Sequence, residues 1–156
     1  MRVLGSSLLL ATLCATAQAQ APTSACDLLT AADVEAAAGW KTTGQKAETY
    51  GTTSTCTFTG NALKHEVVVL TLAKPAPKVA TSAAFAERRI ADGKRTPELA
   101  SRAAPVNGLG APAIRSDDGS GPATIEAVTG GRILGVTAPT VEGAEALAKK
   151  AVPRVR

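Results

Sequence analysis

Cysteine placement constrains this chain more than any other feature. Of its three cysteines, Cys14 lies inside an N-terminal apolar run, and Cys26 and Cys56 lie beyond it. The run, Leu8-Leu9-Leu10-Ala11-Thr12-Leu13-Cys14, follows a lone charge at Arg2 and precedes Ala17-Gln18-Ala19. A charged start, a short apolar stretch and an A-x-A site form the pattern of a secretory signal peptide over residues 1–19, cleaved after Ala19. Cleavage removes Cys14. The remaining even pair, in an oxidising compartment, implies one disulfide between Cys26 and Cys56. Such a bond closes a loop of about 30 residues and contributes roughly 3–4 kcal/mol through chain entropy.

The leader's apolar run is too short to span a bilayer, which needs roughly 20 residues. No later segment reaches that length: Val67–Ala73 is interrupted by Thr71 and followed by Lys74. Leu13 precedes Cys14, so the small residue that a lipidation site needs is missing. The expected product is periplasmic or extracellular, not lipidated, with no transmembrane segment. Residues 20–25 read as a flexible lead, and residues 26–156 as a single domain with one core.

That core must be built from Ala, Val, Leu and Ile, because Trp40, Tyr50, Phe58 and Phe85 are the only aromatics. The formal charge of +4 falls to +3 with the loss of Arg2. The excess is gathered at Arg88-Arg89, Lys94-Arg95 and Arg102, and again at Lys149-Lys150, Arg154 and Arg156. Nucleic-acid binding calls for a denser basic face interleaved with stacking aromatics, so that class is excluded. The basic groups read as solvated faces, with at most weak peripheral contact with an anionic envelope surface.

Punctuation along the chain gives the elements. Thr30 and Asp33 form a capping box, Leu29 and Val34 stand at staple positions, and Gly39 suits the C′ position, so a short helix is expected between Thr30 and Gly39. Gly51–Thr59 alternates Cys56 and Phe58 with threonines, a half-buried strand. Leu63–Leu72 is the strongest strand, its Val67-Val68-Val69 run suiting a central place in a sheet. A second helix is expected over residues 82–92, with Phe85, Ala86 and Ile90 on one face. Pro105–Gly110 reads as a tight loop. Ala111–Arg115, Ala123–Thr129 and Arg132–Thr137 read as strands, the last two joined at Gly130-Gly131 by a primed two-residue turn. That turn pairs Ala127 with Leu134, Ile125 with Val136, and Glu126 with Gly135. The last helix begins at Thr140 and ends before Pro153, with Ala144, Leu147, Ala148 and Ala151 as its core stripe. The expected fold is α+β: an antiparallel sheet of about five strands with three helices in the order α-ββ-α-βββ-α, the helices mainly on one face. The αββ–αβββ rhythm hints at an internal duplication.

No arrangement of residues carries a known chemistry. His65 is the only histidine, no G-x-S-x-G elbow is present, and the mature thiols are expected to be paired. No catalytic, metal-binding or cofactor-binding residue is assigned. Two separated cysteines and one histidine lack zinc-ligand spacing. Asp117-Asp118-Gly119-Ser120-Gly121 lacks the spaced ligands and terminal Glu of a calcium loop and reads as an exposed turn. Gly108-Leu109-Gly110 lacks both a full dinucleotide fingerprint and a Walker lysine. Glu66 and Glu126 are the carboxylates that a hydrolase would need to bring together. Trp40, following Gly39, is expected to pack over the first helix and the disulfide.

The segment Cys26-Asp27-Leu28-Leu29-Thr30 with Asp33-Val34 and Gly39, then Cys56-Thr57-Phe58 and Val106-Asn107-Gly108-Leu109-Gly110, resembles a family of small secreted and lipoprotein-like envelope domains of unknown function. The resemblance implies an α+β fold and a disulfide from the first helix to the first strand, and it transfers no catalytic residues. The chain departs from the pattern in lacking a lipidation cysteine and in carrying Ala111 where an acidic residue often follows the loop.

These readings lead to an exported, non-enzymatic binding module acting on a protein or a small apolar ligand, with a small carboxylate-dependent hydrolase as the alternative. The leader makes a direct prediction. Intact mass of the exported protein should correspond to loss of residues 1–19 with Gln20 at the N-terminus, and retention of Met1 would refute the assignment.

Overall fold

The structure, a computed structural model, describes residues 24–61, 67–74, 103–117 and 121–155, with Ala84, Glu87, Arg88, Ala91 and Gly119. Its first element is a 3-10 turn, Ala25–Asp27, in which Ser24 and Asp27 cap each other's backbone. Helix α1, Ala31–Ala38, starts at a second capping box: Thr30 Oγ1 accepts from the Asp33 N–H, and Asp33 Oδ2 accepts from the Thr30 N–H, both at 3.1 Å. Two orphan donors are thereby satisfied reciprocally. Gly39 ends the helix in the left-handed region at φ 76° and donates to Glu35 O. Only glycine takes that conformation without steric cost.

Seven strands follow: β1 Thr42–Tyr50, β2 Thr53–Gly60, β3 Val67–Ala73, β4 Ala104–Val106, β5 Ala113–Ser116, β6 Ala123–Thr129 and β7 Arg132–Ala138. They form one sheet in the order β1-β2-β3-β7-β6-β5-β4, with every neighbouring pair antiparallel. The sheet is thus two meanders, β1–β3 and β4–β7, joined where β3 meets β7. Helix α2, Val141–Ala151, is capped by Thr140 Oγ1 and runs into a 3-10 turn at Val152–Arg154.

Both helices pack against each other, α2 against β6 and β7 and α1 against β1. The covered face of the sheet presents Cys56 and Phe58 from β2, Leu70 and Leu72 from β3, Leu134 and Val136 from β7, and Ile125 and Ala127 from β6, all buried. Leu28 and Leu29 from the N-terminal turn, Val34 from α1, and Ala144, Leu147, Ala148 and Ala151 from α2 complete this core. Trp40 packs at its margin with its ring lying over Gly60, so closely that a Cβ there would collide with the indole.

Several sequence expectations hold. The Gly130-Gly131 turn has both residues at positive φ, 57° and 69°, and the register Ala127–Leu134, Ile125–Val136 and Glu126–Gly135 is observed. The α2 stripe is buried as expected, and β3 lies in the interior of the sheet. The strand count is corrected from about five to seven. β1 escapes a periodicity test because Thr-Thr-Gly-Gln-Lys-Ala-Glu-Thr-Tyr shows no apolar alternation, and the reason is structural: most of its residues are exposed. β4 overlaps the start of Pro105–Gly110, expected to be loop, and its Pro105 is tolerated because this strand is an edge among the described strands. The expected three helices are corrected to two among the described elements. Of the helix expected over residues 82–92, Ala84, Glu87, Arg88 and Ala91 are helical, and its other positions lie outside the described residues.

The disulfide joins Cys26 of the first turn to Cys56 of β2, with S–S 2.05 Å and Cα–Cα 5.0 Å. Beside it, Ser54, a buried polar residue on the core face, accepts from the Ala25 N–H at 2.9 Å through its hydroxyl. Paired substitution Cys26→Ala/Cys56→Ala should remove about 3 kcal/mol and lower Tm by roughly 10 °C. Differential scanning calorimetry of the oxidised parent and the variant checks this, and equal melting temperatures would remove the bond's structural role.

Candidate functional site

Two places gather polar side chains with defined geometry: a clasp at the helix layer and the outer edge at β1. The clasp centres on Asp33. Besides capping α1, its carboxylate receives Lys150 Nζ at 3.0 Å and Arg154 Nη1 at 2.7 Å. Arg154 Nη1 also donates to Leu28 O at 2.8 Å. The Arg154 guanidinium, then the Thr30 backbone N–H, with Lys150 adding to them, hold the Asp33 carboxyl well below the usual carboxylate range. By sequence alone Asp33 reads only as a cap, and Lys150 and Arg154 as part of a solvated basic face. The fold instead brings the three together from opposite ends of the domain, through the contact of α1 with α2.

The remaining candidates are separate from one another. His65, Glu66, Asp118 and Ser120 lie outside the described residues. So do Arg89, Lys94, Arg95, Arg102 and Arg156, while Arg88 and Lys149 are exposed. Glu126 lies on the sheet face away from the helices, opposite Gly135 of β7 and Ile114 of β5. Asp117 pairs with Arg115 at 3.4 Å. Gly108 and Gly110 adopt positive φ of 79° and 70° within a turn, and Leu109 between them is buried in the core. Among the described residues, no group of three or more His, Cys, Asp or Glu side chains is placed to hold a metal ion.

The second face of the sheet is lined by hydroxyls. Thr55 and Thr57 of β2, Thr71 of β3, Thr124 of β6 and Thr137 of β7 are half-buried there, and the Thr124 and Thr137 hydroxyls hydrogen-bond at 2.9 Å. Ile114 is buried on this side, apart from the main core.

At the sheet's end, β1 has a neighbour on one side only among the described residues. Tyr50 and Thr53 are paired around the two-residue turn Gly51-Thr52. A turn of this length closes with a bond between its flanking residues, and antiparallel pairs then alternate between bonded and non-bonded. Gln45, Ala47 and Thr49 consequently direct their N–H and C=O groups away from β2. The opposite-parity residues Gly44, Lys46, Glu48 and Tyr50 lie on the hydroxyl-lined face, as their partners Thr59, Thr57, Thr55 and Thr53 show. Lys46 Nζ lies 2.8 Å from Glu48 Oε1, and Tyr50 donates to the same oxygen at 3.3 Å. Tyr50 is the exposed large hydrophobic residue of the described chain, at 67%. A period-two Lys-x-Glu-x-Tyr was the signal in the sequence that could have marked this strand.

Compared with protein families, curated proteins and solved structures, the chain shows no match to any. No helix among the described residues is long and apolar enough to cross a membrane.

Protonating Asp33 should loosen the clasp. A carboxyl whose pKa is lowered by folding, from an ordinary 3.8 here, stabilises above that value and loses its contribution as pH falls below it. Asp33→Asn should therefore cost about 1–2 kcal/mol at neutral pH, modest because its cationic partners are partly solvated. It should also flatten the loss of stability below about pH 4. Urea unfolding as a function of pH measures both effects, and parallel curves for parent and variant would refute them.

Proposed function

We propose that this chain is an exported, non-enzymatic binding module whose partner is a protein, engaged along the edge of β1 that has no strand neighbour among the described residues. The single observation that carries this reading is that edge. A nine-residue strand without proline, most of whose residues are exposed, is a template for strand addition. The opposite edge, β4, has three residues and a central Pro105. The leader and the disulfide support an oxidising compartment outside the cytoplasm. The likeness of the cysteine-bearing segments to small exported envelope domains supports the same placement.

The small-apolar-ligand version has less support, because the layer between sheet and helices is occupied by Phe58, Leu70, Leu72, Leu134 and Leu147, each essentially inaccessible. The hydrolase alternative gains nothing from the position of Glu126, which faces Gly135 across β6 and β7.

The test is site-specific photocrosslinking in an exporting host. A benzophenone side chain in place of Tyr50 should give a discrete protein adduct, whereas one in place of Arg132, at the Gly130-Gly131 turn, should not. Ala47→Pro, which removes an outward N–H at the middle of β1, should abolish the adduct. Absence of an adduct at Tyr50, or equal adducts at both positions, would overturn the reading.

A further inference from the structure

The geometry of β1 points to a particular partner: we infer that the strand pairs antiparallel with β1 of a second copy of this chain, about a two-fold axis at Ala47. This rests on the reading of β1 as a protein-binding edge and names what that edge binds.

The pairing window is bounded on both sides. A bulge at Thr43 shifts the register between Thr42 and Gly44, and the chain turns away after Tyr50. The regular segment is therefore Gly44–Tyr50, and its midpoint is Ala47. Backbone groups of Gln45, Ala47 and Thr49 face outward, so a two-fold at Ala47 sets Ala47 against its own copy and Gln45 against Thr49. About six interstrand hydrogen bonds follow from the alternation.

Side chains complement each other in the same register. On the hydroxyl-lined face, Lys46 of one copy lies opposite Glu48 of the other, and the reciprocal pair forms by symmetry. These fall at non-hydrogen-bonded positions, where opposing side chains approach most closely. Lys46, 72% exposed, holds Glu48 of its own strand at 2.8 Å, and in this register each lysine exchanges or shares that partner with the Glu48 opposite. Tyr50 falls opposite Gly44, an aromatic ring over a residue with no side chain, the arrangement that compensates an edge glycine. The exposed Tyr50 ring thus gains a surface to cover.

Neighbouring registers fail. A shift of one residue sets outward-facing backbone groups against inward-facing ones and loses the ladder. Moving the axis to Lys46 puts Lys46 against Lys46, and moving it to Glu48 puts Glu48 against Glu48; like charges directly opposite are destabilising. Axes at Gln45 or Thr49 keep the backbone in phase without opposing like charges, but they pair only Gly44–Lys46 or Glu48–Tyr50; the axis at Ala47 alone uses the whole regular segment and sets opposite charges together. An isologous contact of this kind closes after two copies. It yields one continuous sheet with the helix layers of both copies on the same face.

Sedimentation velocity of the oxidised mature chain, residues 20–156, tests the inference. A concentration-dependent monomer–dimer equilibrium is expected, with Kd in about the micromolar to hundred-micromolar range for an interface of this size. Lys46→Glu, an exposed substitution, should weaken the dimer about tenfold. The charge exchange Lys46→Glu/Glu48→Lys should restore it, a recovery that a fold defect would not show. A monomer at all concentrations up to about 1 mM, or a Kd unchanged by Lys46→Glu, would overturn the self-pairing. If the chain is monomeric and the benzophenone at Tyr50 still captures a different protein, self-pairing fails while the protein-binding edge stands. If neither occurs, both fail.

Discussion

The bond between Cys26 and Cys56 determines where the helical layer of this protein can sit. It fastens the chain's first turn to the core face of β2, and Ser54 adds a buried hydrogen bond to Ala25 alongside it. With that turn fixed, Leu28 and Leu29 enter the core and α1 starts at a set position. α2 then closes on α1 through small residues: a Cβ at Gly143 would lie 3.6 Å from Ala37 O. Alanine-rich contacts bury little apolar area per residue, and Phe58 is the one aromatic among the largest fully buried side chains. A core of this kind gains from constraints on the unfolded chain as well as from packing. The Asp33 clasp acts in the same direction, tying the C-terminal Arg154 to the carbonyl of Leu28.

What the sequence revealed follows from how strongly each segment is coupled to burial. The α1 capping box, the left-handed Gly39, the primed turn at Gly130-Gly131 and the register of β6 with β7 are all written locally. Each depends on one or two residues with narrow conformational preferences. The α2 stripe was legible because a helix buried on one side must repeat its apolar residues at helical spacing. By contrast, β1 buries almost nothing and leaves no period in hydrophobicity, although its Lys46, Glu48 and Tyr50 record a period of two in polarity. The clasp was illegible for a different reason. Asp33 lies more than a hundred residues from Lys150 and Arg154, so only the packing of α1 on α2 reveals the pairing. Lys150 and Arg154 read as surface charge because nothing local distinguishes a paired cation from a solvated one.

The two ends of the sheet handle the same physical problem in opposite ways. An edge strand exposes unpaired N–H and C=O groups that any extended chain could add to. At β4 the exposed edge is cut to three residues, and Pro105 removes a donor. At β1 the strand is long and keeps its donors, and its protection is charge. A lone lysine would directly oppose its own copy only in the register centred on it. Lys46 with Glu48 two residues on does something more selective: it repels in the registers centred on either charge and attracts in the one centred between them. The bulge at Thr43 and the turn at Gly51 bound the regular segment to seven residues, so axes farther from its midpoint at Ala47 leave few residues to pair. The same two charges that disfavour like-on-like registers therefore favour the one alignment that sets Lys46 opposite Glu48. That selectivity, rather than exposure alone, is what separates an interaction edge from an unprotected one.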